Sequence, residues 1–228
     1  MFLHIAWVVL WDLQCSERGR IIARHGAFEL NSGLCMAFSP DGRQLALGHE
    51  GCNIDLFDLQ SGRILKSVNF GTSATLGIST LAYSPNGKQI AVGGGAAARV
   101  YLWDLLSDEP QARLECSDTI NGVNCLSYSS CGHWIASVVG NAGVQIWRRQ
   151  PEEAENWSLV SVYNRFFDIV NSIDWNPRGS LEFVTGCRDS SVRVWRIQVD
   201  EEGVKVLLVW ATGFGQLCVL DSTFKDAT

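Results

Sequence analysis

Charged residues are scarce in this 228-residue sequence, because Asp, Glu, Lys and Arg together make up only 18% of it. The net charge is −6, and Arg148-Arg149 is the only adjacent basic pair. Affinity for nucleic acids comes largely from clustered positive charge that neutralises phosphates. We therefore expect that nucleic acid is not a partner of this protein.

Long apolar segments are also missing, since no run approaches the roughly 18–20 residues that cross a membrane. The first ten residues, MFLHIAWVVL, are apolar but lack a basic start and a small-residue cleavage site. They run directly into Trp11-Asp12, so they predict a β-strand and not a signal peptide. The eight cysteines include no C-x-x-C pair, which is typical of buried free thiols in a reducing compartment. These features predict a cytoplasmic protein without a membrane partner.

Sequence motifs for catalysis, metal binding or cofactor binding are absent as well. The glycines at 93–95 are not followed by the Lys-Ser/Thr of a nucleotide-binding loop, so they predict a flexible connection. Cys125 and Cys131 should lie nearly 20 Å apart if they sit in a strand and its following turn, at about 3.3 Å per residue. That separation excludes a zinc site with His133. A Cys131–His133 dyad has no visible third group to orient it, so we predict no catalytic residue, metal or cofactor.

The sequence does repeat one pattern, which is clearest in residues 78–104. An apolar run at 78–83 ends in the turn Ser-Pro-Asn-Gly at 84–87, where Pro fixes φ and Asn-Gly tolerates a positive φ. A second apolar run follows at 88–92, and a third at 99–104 ends in Trp-Asp. The pattern predicts three antiparallel strands, the first two joined by a tight hairpin.

Two markers of this pattern recur in register along the chain. The aromatic strand ends are 46, 46, 44 and 48 residues apart, at Trp11-Asp12, Phe57-Asp58, Trp103-Asp104, Trp147-Arg148 and Trp195-Arg196. The hairpin turns are 45, 45 and 47 residues apart, beginning at Ser39, Ser84, Ser129 and Asn176. A period of about 40–45 residues with paired strands is typical of four-stranded propeller blades. The chain therefore resembles the WD-repeat β-propeller family over nearly its whole length.

This resemblance implies an all-β propeller with four complete four-stranded blades and one partial blade. We expect the complete blades at about 31–71, 75–117, 120–164 and 167–210, and the partial blade at 1–30. A further strand predicted at 216–220 could pair with the partial blade and close a ring of five. The alternative is a fragment of a larger array, because a seven-bladed ring needs about 315 residues. Such a fragment would leave a blade edge exposed.

Members of the WD-repeat family often stabilise a blade with a hydrogen-bonded tetrad. Its members are a His between blades, an Asp in the turn between the second and third strands, a Ser or Thr on the third strand, and the Trp that ends that strand. The last complete blade matches three of these, with Phe166 at the His position. The other blades have Gly51, Ala97 and Asn141 at the Asp position. The resemblance implies structural roles for Asp189, Ser191, Trp195, Trp103, Asp104, Trp11 and Asp12.

The same family commonly binds its partners at one rim, which is built from the loops before the first and third strands of each blade. Register puts Leu34, Ser79, Asn124 and Asn171 at the start of the first strands, and Glu50, Ala96, Gly140 and Arg188 before the Asp positions. We expect a protein or peptide partner to contact Asn124, Asn171, Arg188, Glu50 and Ser79. Plain solvated loop residues are the alternative interpretation.

The residues from His133 onward are similar to the last blades of the WD-repeat arrays that end large fungal NACHT-type proteins. The similarity rests on Trp147-Arg-Arg, on residues 182–189 and 191–196, and on Gly215-Gln-Leu-Cys218. In that family the array is the sensor end of a nucleotide-driven switch. No G-x-x-x-x-G-K-[ST] occurs in these 228 residues, so NTPase activity would belong to a part of that architecture outside them.

We therefore predict a non-catalytic scaffold for protein–protein interaction, at the sensor or regulatory end of a NACHT-type signalling protein. Two alternatives stay open. A propeller hydrolase would need convergent His, Asp or Glu side chains at the central channel, and the repeat offers none in register. A truncated propeller fragment without independent function is the other.

Overall fold

The computed structural model describes most of the chain. The described residues are 5–12, 20–29, 35–49, 52–70, 77–94, 99–107, 112–116, 122–140, 143–150, 156–163, 166, 168–201 and 203–212, with 5–12, 20–29 and 112–113 described by their backbone alone. None of these segments contains a helix that is long and apolar enough to cross a membrane. The strand predicted at 216–220 lies outside the described residues.

The described residues form four four-stranded antiparallel sheets and one two-stranded sheet. The two-stranded sheet pairs β1 (Ile5–Asp12) with β2 (Arg20–Glu29). The first sheet contains β3 (Cys35–Phe38), β4 (Gln44–Gly48), β5 (Asn53–Asp58) and β6 (Arg63–Asn69). The second contains β7 (Ile78–Tyr83), β8 (Gln89–Gly94), β9 (Arg99–Asp104) and β10 (Ala112–Glu115).

The third sheet contains β11 (Val123–Tyr128), β12 (Trp134–Val139), β13 (Gly143–Arg149) and β14 (Trp157–Tyr163). The fourth contains β15 (Val170–Trp175), β16 (Glu182–Cys187), β17 (Val192–Asp200) and β18 (Gly203–Thr212). In each four-stranded sheet the strands lie side by side in chain order. The four sheets confirm the predicted all-β architecture of four complete blades.

The hairpin turn between the first and second strands is built in the same way in the first three sheets. In the first sheet Ser39 Oγ donates to Asp41 Oδ1 at 2.6 Å and accepts from the backbone N–H of Gln44 at 2.9 Å. The fourth turn residue is a glycine with φ between 67° and 84° in all four sheets. Other residues rarely adopt this left-handed conformation, which explains why the turn sequence recurs so regularly.

Consecutive four-stranded sheets pack face to face, and their first strands lie next to one another. Each of three buried clusters joins two neighbouring sheets, as when Ala46 and Leu56 of the first pack with Leu81 and Tyr83 of the second. Polar contacts cross the boundaries too, since Trp175 Nε1 donates to the carbonyl oxygen of Ser127 at 3.1 Å. Because both faces of an inner sheet are covered, its strands are nearly continuous apolar runs.

Candidate protein-interaction site

Three of the predicted contact residues occupy the same special position in neighbouring sheets. Ser79, Asn124 and Asn171 lie where the pairing between the first and second strands shifts by one residue, so each is the unpaired residue of a β-bulge. All three are exposed. A bulge re-aims the side chain of its extra residue, and here it does so at the same end of three adjacent first strands. The result is a row of polar side chains along one rim.

Ser79 also has a structural role in this row. Its hydroxyl contacts the carbonyl oxygen of Gly93 at 3.2 Å and donates to the carbonyl oxygen of Val123 in the next sheet. This second bond ties the bulge of the second sheet to the residue that precedes Asn124. Ser79 therefore fixes the spacing of the row, whereas Asn124 and Asn171 present amide groups that both donate and accept hydrogen bonds.

Arg188 lies beside the Asn171 end of the row. Its backbone N–H donates to the carbonyl oxygen of Ile169 at 2.8 Å, which fixes it next to the start of β15. Its side chain is 69% exposed, and its Nε lies 4.0 Å from Asp168 Oδ2. A guanidinium group at this position can bind a carboxylate or a backbone carbonyl of a partner.

Other positions predicted for this rim are only partly described. Gly140 is buried and donates its backbone N–H to the carbonyl oxygen of Gly122 at 3.1 Å, so it offers no side chain for binding. Glu50, Leu34 and Ala96 lie outside the described residues.

A charged cluster under the rim holds the turn before β17. Asp189 Oδ1 accepts hydrogen bonds from the hydroxyl and the backbone N–H of Ser191, and Arg193 Nη2 donates to Asp189 Oδ2 at 2.9 Å. Burial by itself would raise the pKa of Asp189, but the hydrogen bonds from Ser191 and Arg193 outweigh it and hold that pKa well below its usual range. The Arg193 guanidinium also lies 4.9 Å from the ring centre of Phe166. The residue at the His position of the tetrad thus packs against an arginine.

In the structure, the hydroxyl that bonds to the Trp differs from the one that the resemblance places in the tetrad. Trp195 Nε1 donates to Thr185 Oγ1 of β16 at 2.9 Å, while the Ser191 hydroxyl donates to Asp189. The third sheet repeats this arrangement, because Trp147 Nε1 donates to Ser137 Oγ of β12 at 3.0 Å. In both sheets the Trp therefore donates to a hydroxyl of the second strand, and not to the Ser or Thr that the resemblance places on the third strand.

Two of the remaining structural residues predicted from the sequence, Trp103 and Asp104, bond within one outer turn. Asp104 Oδ1 accepts the backbone N–H of Leu106 at 2.9 Å, and Trp103 Nε1 donates to the carbonyl oxygen of Ser107 at 3.0 Å. In β1, the backbones of Trp11 and Asp12 pair with β2 opposite Ile21 and Arg20.

A buried polar group in the first sheet was not predicted as a site. His49 Nε2 lies 2.9 Å from Asp55 Oδ2, and Ser67 Oγ donates to Asp55 Oδ1 at 2.5 Å. His49 directly follows β4. Asp55 is buried in β5, and it is directly opposite Leu47, as Arg193 is opposite Thr185 in the fourth sheet. A lone charged residue within an apolar strand was the one available signal, and the group stabilises the sheet from within.

The cysteine and histidine in the hairpin turn of the third sheet are not part of this buried group. Cys131 and His133 are both exposed, and Cys131 Sγ contacts Ser129 Oγ at 3.3 Å. Cys125 lies in β11, with a thiol whose pKa burial raises to about 12. Within the described ranges, no group of three or more His, Cys, Asp or Glu side chains is placed to hold a metal ion.

The chain is similar to known proteins both at the level of a repeat family and at the level of single relatives. Residues 65–104, 109–148 and 157–196 match the family model described as "WD domain, G-beta repeat". Each match begins at or near the fourth strand of one sheet and ends at the aromatic strand end of the next. The sequence repeat is therefore offset by one strand from the blade, and the three matches together cover more than half of the chain.

Individual relatives are more distant. The chain is 28% identical over 135 residues to the small ribosomal subunit protein RACK1z of Arabidopsis thaliana, covering 53% of this chain and 39% of that protein. It is 27% identical over 141 residues to protein groucho of Drosophila melanogaster, covering 62% and 18%. It is 24% identical over 142 residues to the guanine nucleotide-binding protein subunit beta of A. thaliana, covering 60% and 37%. The chain spans less than half the length of these relatives.

A solved structure, titled "Structure of U3-55K", superposes with a TM-score of 0.61 at 24% sequence identity. The superposition covers 76% of this chain and 50% of the other, which shows a shared fold. The sequence repeats, the four sheets in register and the family match lead to one conclusion: the chain belongs to the WD-repeat family of β-propeller proteins.

Proposed function

We propose that this protein is a non-catalytic scaffold that binds a protein or peptide partner at the rim formed by Ser79, Asn124, Asn171 and Arg188. The observation that carries the proposal is the row of bulges, because three neighbouring first strands each present an exposed polar residue at the same position. Glu50, which lies outside the described residues, belongs to the same proposed surface.

The chemistry of the row suits the recognition of an extended polypeptide. The amides of Asn124 and Asn171 can each donate and accept, as a peptide backbone does. Arg188 adds a positive charge at one end, where a partner carboxylate could compete with Asp168 at 4.0 Å. We therefore expect the partner to contribute an extended segment with an acidic group near Arg188.

The names of two relatives support a role in assembly. One is a protein of the small ribosomal subunit, and another is a subunit of a guanine nucleotide-binding protein. Both names describe components of larger assemblies, and a rigid sheet scaffold with functional loops at its rim is suited to such a role.

The test replaces Asn124, Asn171 and Arg188 with alanine together and compares partner capture from lysate with that of the wild type. Capture should be lost, while the melting temperature should shift by no more than about 2 °C, since exposed substitutions usually change stability by less than ~0.5 kcal/mol. The matched control replaces Gln60, Ser130 and Arg178, three exposed residues in turns at the opposite end of the sheets. Capture that survives the first triple variant would refute the rim proposal.

Because residues 133–218 are similar to the WD-repeat arrays of fungal NACHT-type proteins, we also propose that the scaffold is the sensor end of a cytoplasmic signalling protein. Nucleic acids and membranes are not among its proposed partners. The transcript upstream of Met1 should then encode a P-loop nucleotide-binding module. A gene whose reading frame starts at Met1 would contradict this finer proposal and leave the rim proposal untouched.

A further inference from the structure

An open groove lies between the first and second sheets, at the end of the sheets opposite the polar rim. Its volume is about 680 Å³, which is within the range of known binding pockets. Each side contributes an exposed leucine, Leu65 of β6 and Leu106 of the turn after β9, with 56% and 94% of their surface exposed. Residues of the hairpin turns at 39–42 and 84–87 also line it, so we call it the turn groove.

The corresponding place between the third and fourth sheets is filled by the chain itself. The third sheet contributes Trp134, and the fourth contributes Ile197 and Val206, and all three are buried in one cluster. Val160, the unpaired residue of a bulge in β14, packs against this cluster. Its counterpart in the bulge of β6 is Leu65, which is one of the exposed leucines of the turn groove. The fold therefore fills this kind of boundary with aromatic and aliphatic side chains.

Two residues that line the turn groove fill it less than their counterparts fill the later boundary. Gln44 has the register position of Trp134 and is half-buried. Leu105 has the register position of Ile197 and is also half-buried, whereas Ile197 is 4% exposed. The difference in these side chains leaves the space of the groove open.

The fourth sheet also has a longer outer hairpin than the second sheet. Strand β17 continues to Asp200, and Val206 on the returning strand β18 helps to fill the boundary. In the second sheet β9 already ends at Asp104. Residues 108–111, which lie outside the described residues, are Asp-Glu-Pro-Gln in the sequence, so they contain no large apolar side chain that could replace Val206.

Lys66 holds the two sides of the turn groove together. Its Nζ donates to the carbonyl oxygens of Ser107 at 2.7 Å and of Leu105 at 3.4 Å, and it lies 5.6 Å from the ring centre of Trp103. These contacts join β6 of the first sheet to the turn after β9 of the second. A site that is already formed loses less conformational entropy when a partner binds.

Asp41 gives the turn groove a negative charge. The hydrogen bond from the Ser39 hydroxyl, followed by that from the backbone N–H of Arg43, holds the pKa of Asp41 below its usual range, so its carboxylate is charged at neutral pH. Arg43 Nε lies 4.0 Å from Asp41 Oδ2, and these side chains are 83% and 60% exposed. Burial, and then the charge of Asp41, raise the pKa of Tyr83 to about 12, which shows that this charge acts on the buried side of the groove. A basic side chain of a partner therefore complements the groove better than an acidic one.

We propose that the turn groove binds a peptide segment of a partner protein that carries two neighbouring aliphatic side chains and one lysine or arginine. The aliphatic side chains cover Leu65 and Leu106, in the way that the hairpin of β17 and β18 covers the third sheet. The basic side chain pairs with Asp41. This surface goes beyond the rim proposal and does not depend on it, because it uses none of the rim residues.

The substitution Q44W tests the proposal by filling the groove from within, since a tryptophan occupies this register position in the third sheet. A phage library of short random peptides is selected on the immobilised full chain and counter-selected on Q44W. The retained peptides should be enriched in neighbouring Leu, Ile or Val together with one Lys or Arg. The proposal is overturned if no peptide survives counter-selection, or if the retained peptides lack these residues.

A second variant, L106D, keeps the test decisive if Q44W does not fold. Leu106 is almost fully exposed, so L106D should melt within about 2 °C of the wild type. In fluorescence polarisation with a labelled selected peptide, it should weaken binding at least tenfold, because a carboxylate replaces an aliphatic contact. The matched control V162D, at an exposed valine of β14, should leave binding unchanged. Equal binding to L106D and V162D would overturn the proposal.

The substitution D41N tests the charge and keeps the turn. In the second sheet Asn86 Oδ1 already accepts the two hydrogen bonds, from Ser84 Oγ and the backbone N–H of Lys88, that Asp41 accepts in the first. D41N should weaken peptide binding about two- to fivefold, as expected for an exposed ion pair. A peptide whose basic residue is replaced by glutamine should not respond to D41N, and an equal response of both peptides would overturn the pairing.

The same measurements separate this proposal from the rim proposal and from other occupants of the groove. The triple alanine variant at 124, 171 and 188 should bind the selected peptide as the wild type does, and a loss of binding there would contradict a separate site. Peptide binding that appears only after deletion of residues 213–228 would mean that the chain's own end fills the groove. A dimer in light scattering that L106D dissociates would mean that a second copy fills it. Either result would overturn the proposal.

Discussion

Replacing Thr185 with valine tests whether a buried indole N–H requires a hydroxyl of the second strand as its hydrogen-bond acceptor. Thr185 is fully buried, Trp195 is 1% exposed, and the hydrogen bond between them measures 2.9 Å. Valine keeps nearly the same shape, so the change removes the acceptor without opening a cavity. A buried donor without an acceptor costs about 1–3 kcal/mol of unfolding free energy. For a chain of this size that cost lowers the melting temperature by roughly 2–12 °C.

The assay is a double-mutant cycle measured by urea unfolding and by thermal melts. The variants are T185V, W195F and the double substitution, and the coupling between the two sites is the quantity of interest. Phenylalanine has no N–H, so T185V should cost less than ~0.5 kcal/mol in the W195F background. The first sheet already contains such a pair, with Phe57 in the aromatic position and Leu47 at the register position of Thr185. An equal cost of T185V in both backgrounds, or a wild-type melting temperature for T185V, would refute the reasoning.

Two further predictions concern charge and thiols. The substitution D189N leaves the Arg193 guanidinium, 9% exposed, without its ion pair and should cost about 3–5 kcal/mol at pH 7. Because the folded pKa of Asp189 is lowered from an unfolded value near 3.9, the charge contributes fully above about pH 4–5 and less as the pH falls below it. Urea unfolding at pH 7 and pH 3 should show the gap between wild type and D189N narrowing, and a constant gap would contradict the ion pair. In alkylation at pH 8 followed by mass spectrometry, exposed Cys131 should react in the folded protein, whereas Cys35 and Cys116, whose pKa burial raises to about 12, should react only after unfolding. Equal rates for the three would contradict the described packing.

The strand order and the hairpin turns could be predicted because their signals are local. A turn that needs a positive φ demands glycine at one position, and Gly42, Gly87, Gly132 and Gly179 meet that demand in all four sheets. Strand ends are likewise marked by residues with local contacts, such as Asp104 accepting the N–H of Leu106. Local rules of this kind act within a few residues, so the sequence carries them directly.

The bulges and the interblade contacts could not be predicted in the same way. Register placed Ser79, Asn124 and Asn171 at the start of their strands, but nothing local showed that each is skipped by the pairing. The bulge depends on how the first strand meets both its own second strand and the next sheet, which is long-range information. Likewise, Asp55 was visible as a charge in an apolar strand, but its partner His49 became evident only once β4 and β5 were paired.

The four aromatic strand ends show one constraint met in different ways. One second-strand position pairs with the third-strand residue that lies two before the aromatic residue. In the four sheets it is occupied by Leu47, Val92, Ser137 and Thr185. Where it is a hydroxyl, the indole N–H donates to it, and where the aromatic residue is Phe57, no acceptor is needed. The second sheet combines an indole with Val92, and there Trp103 donates to the carbonyl oxygen of Ser107 in the outer turn instead. A buried N–H must find an acceptor in every case, so the residue that varies between blades is the acceptor, while the aromatic packing that defines the repeat stays the same.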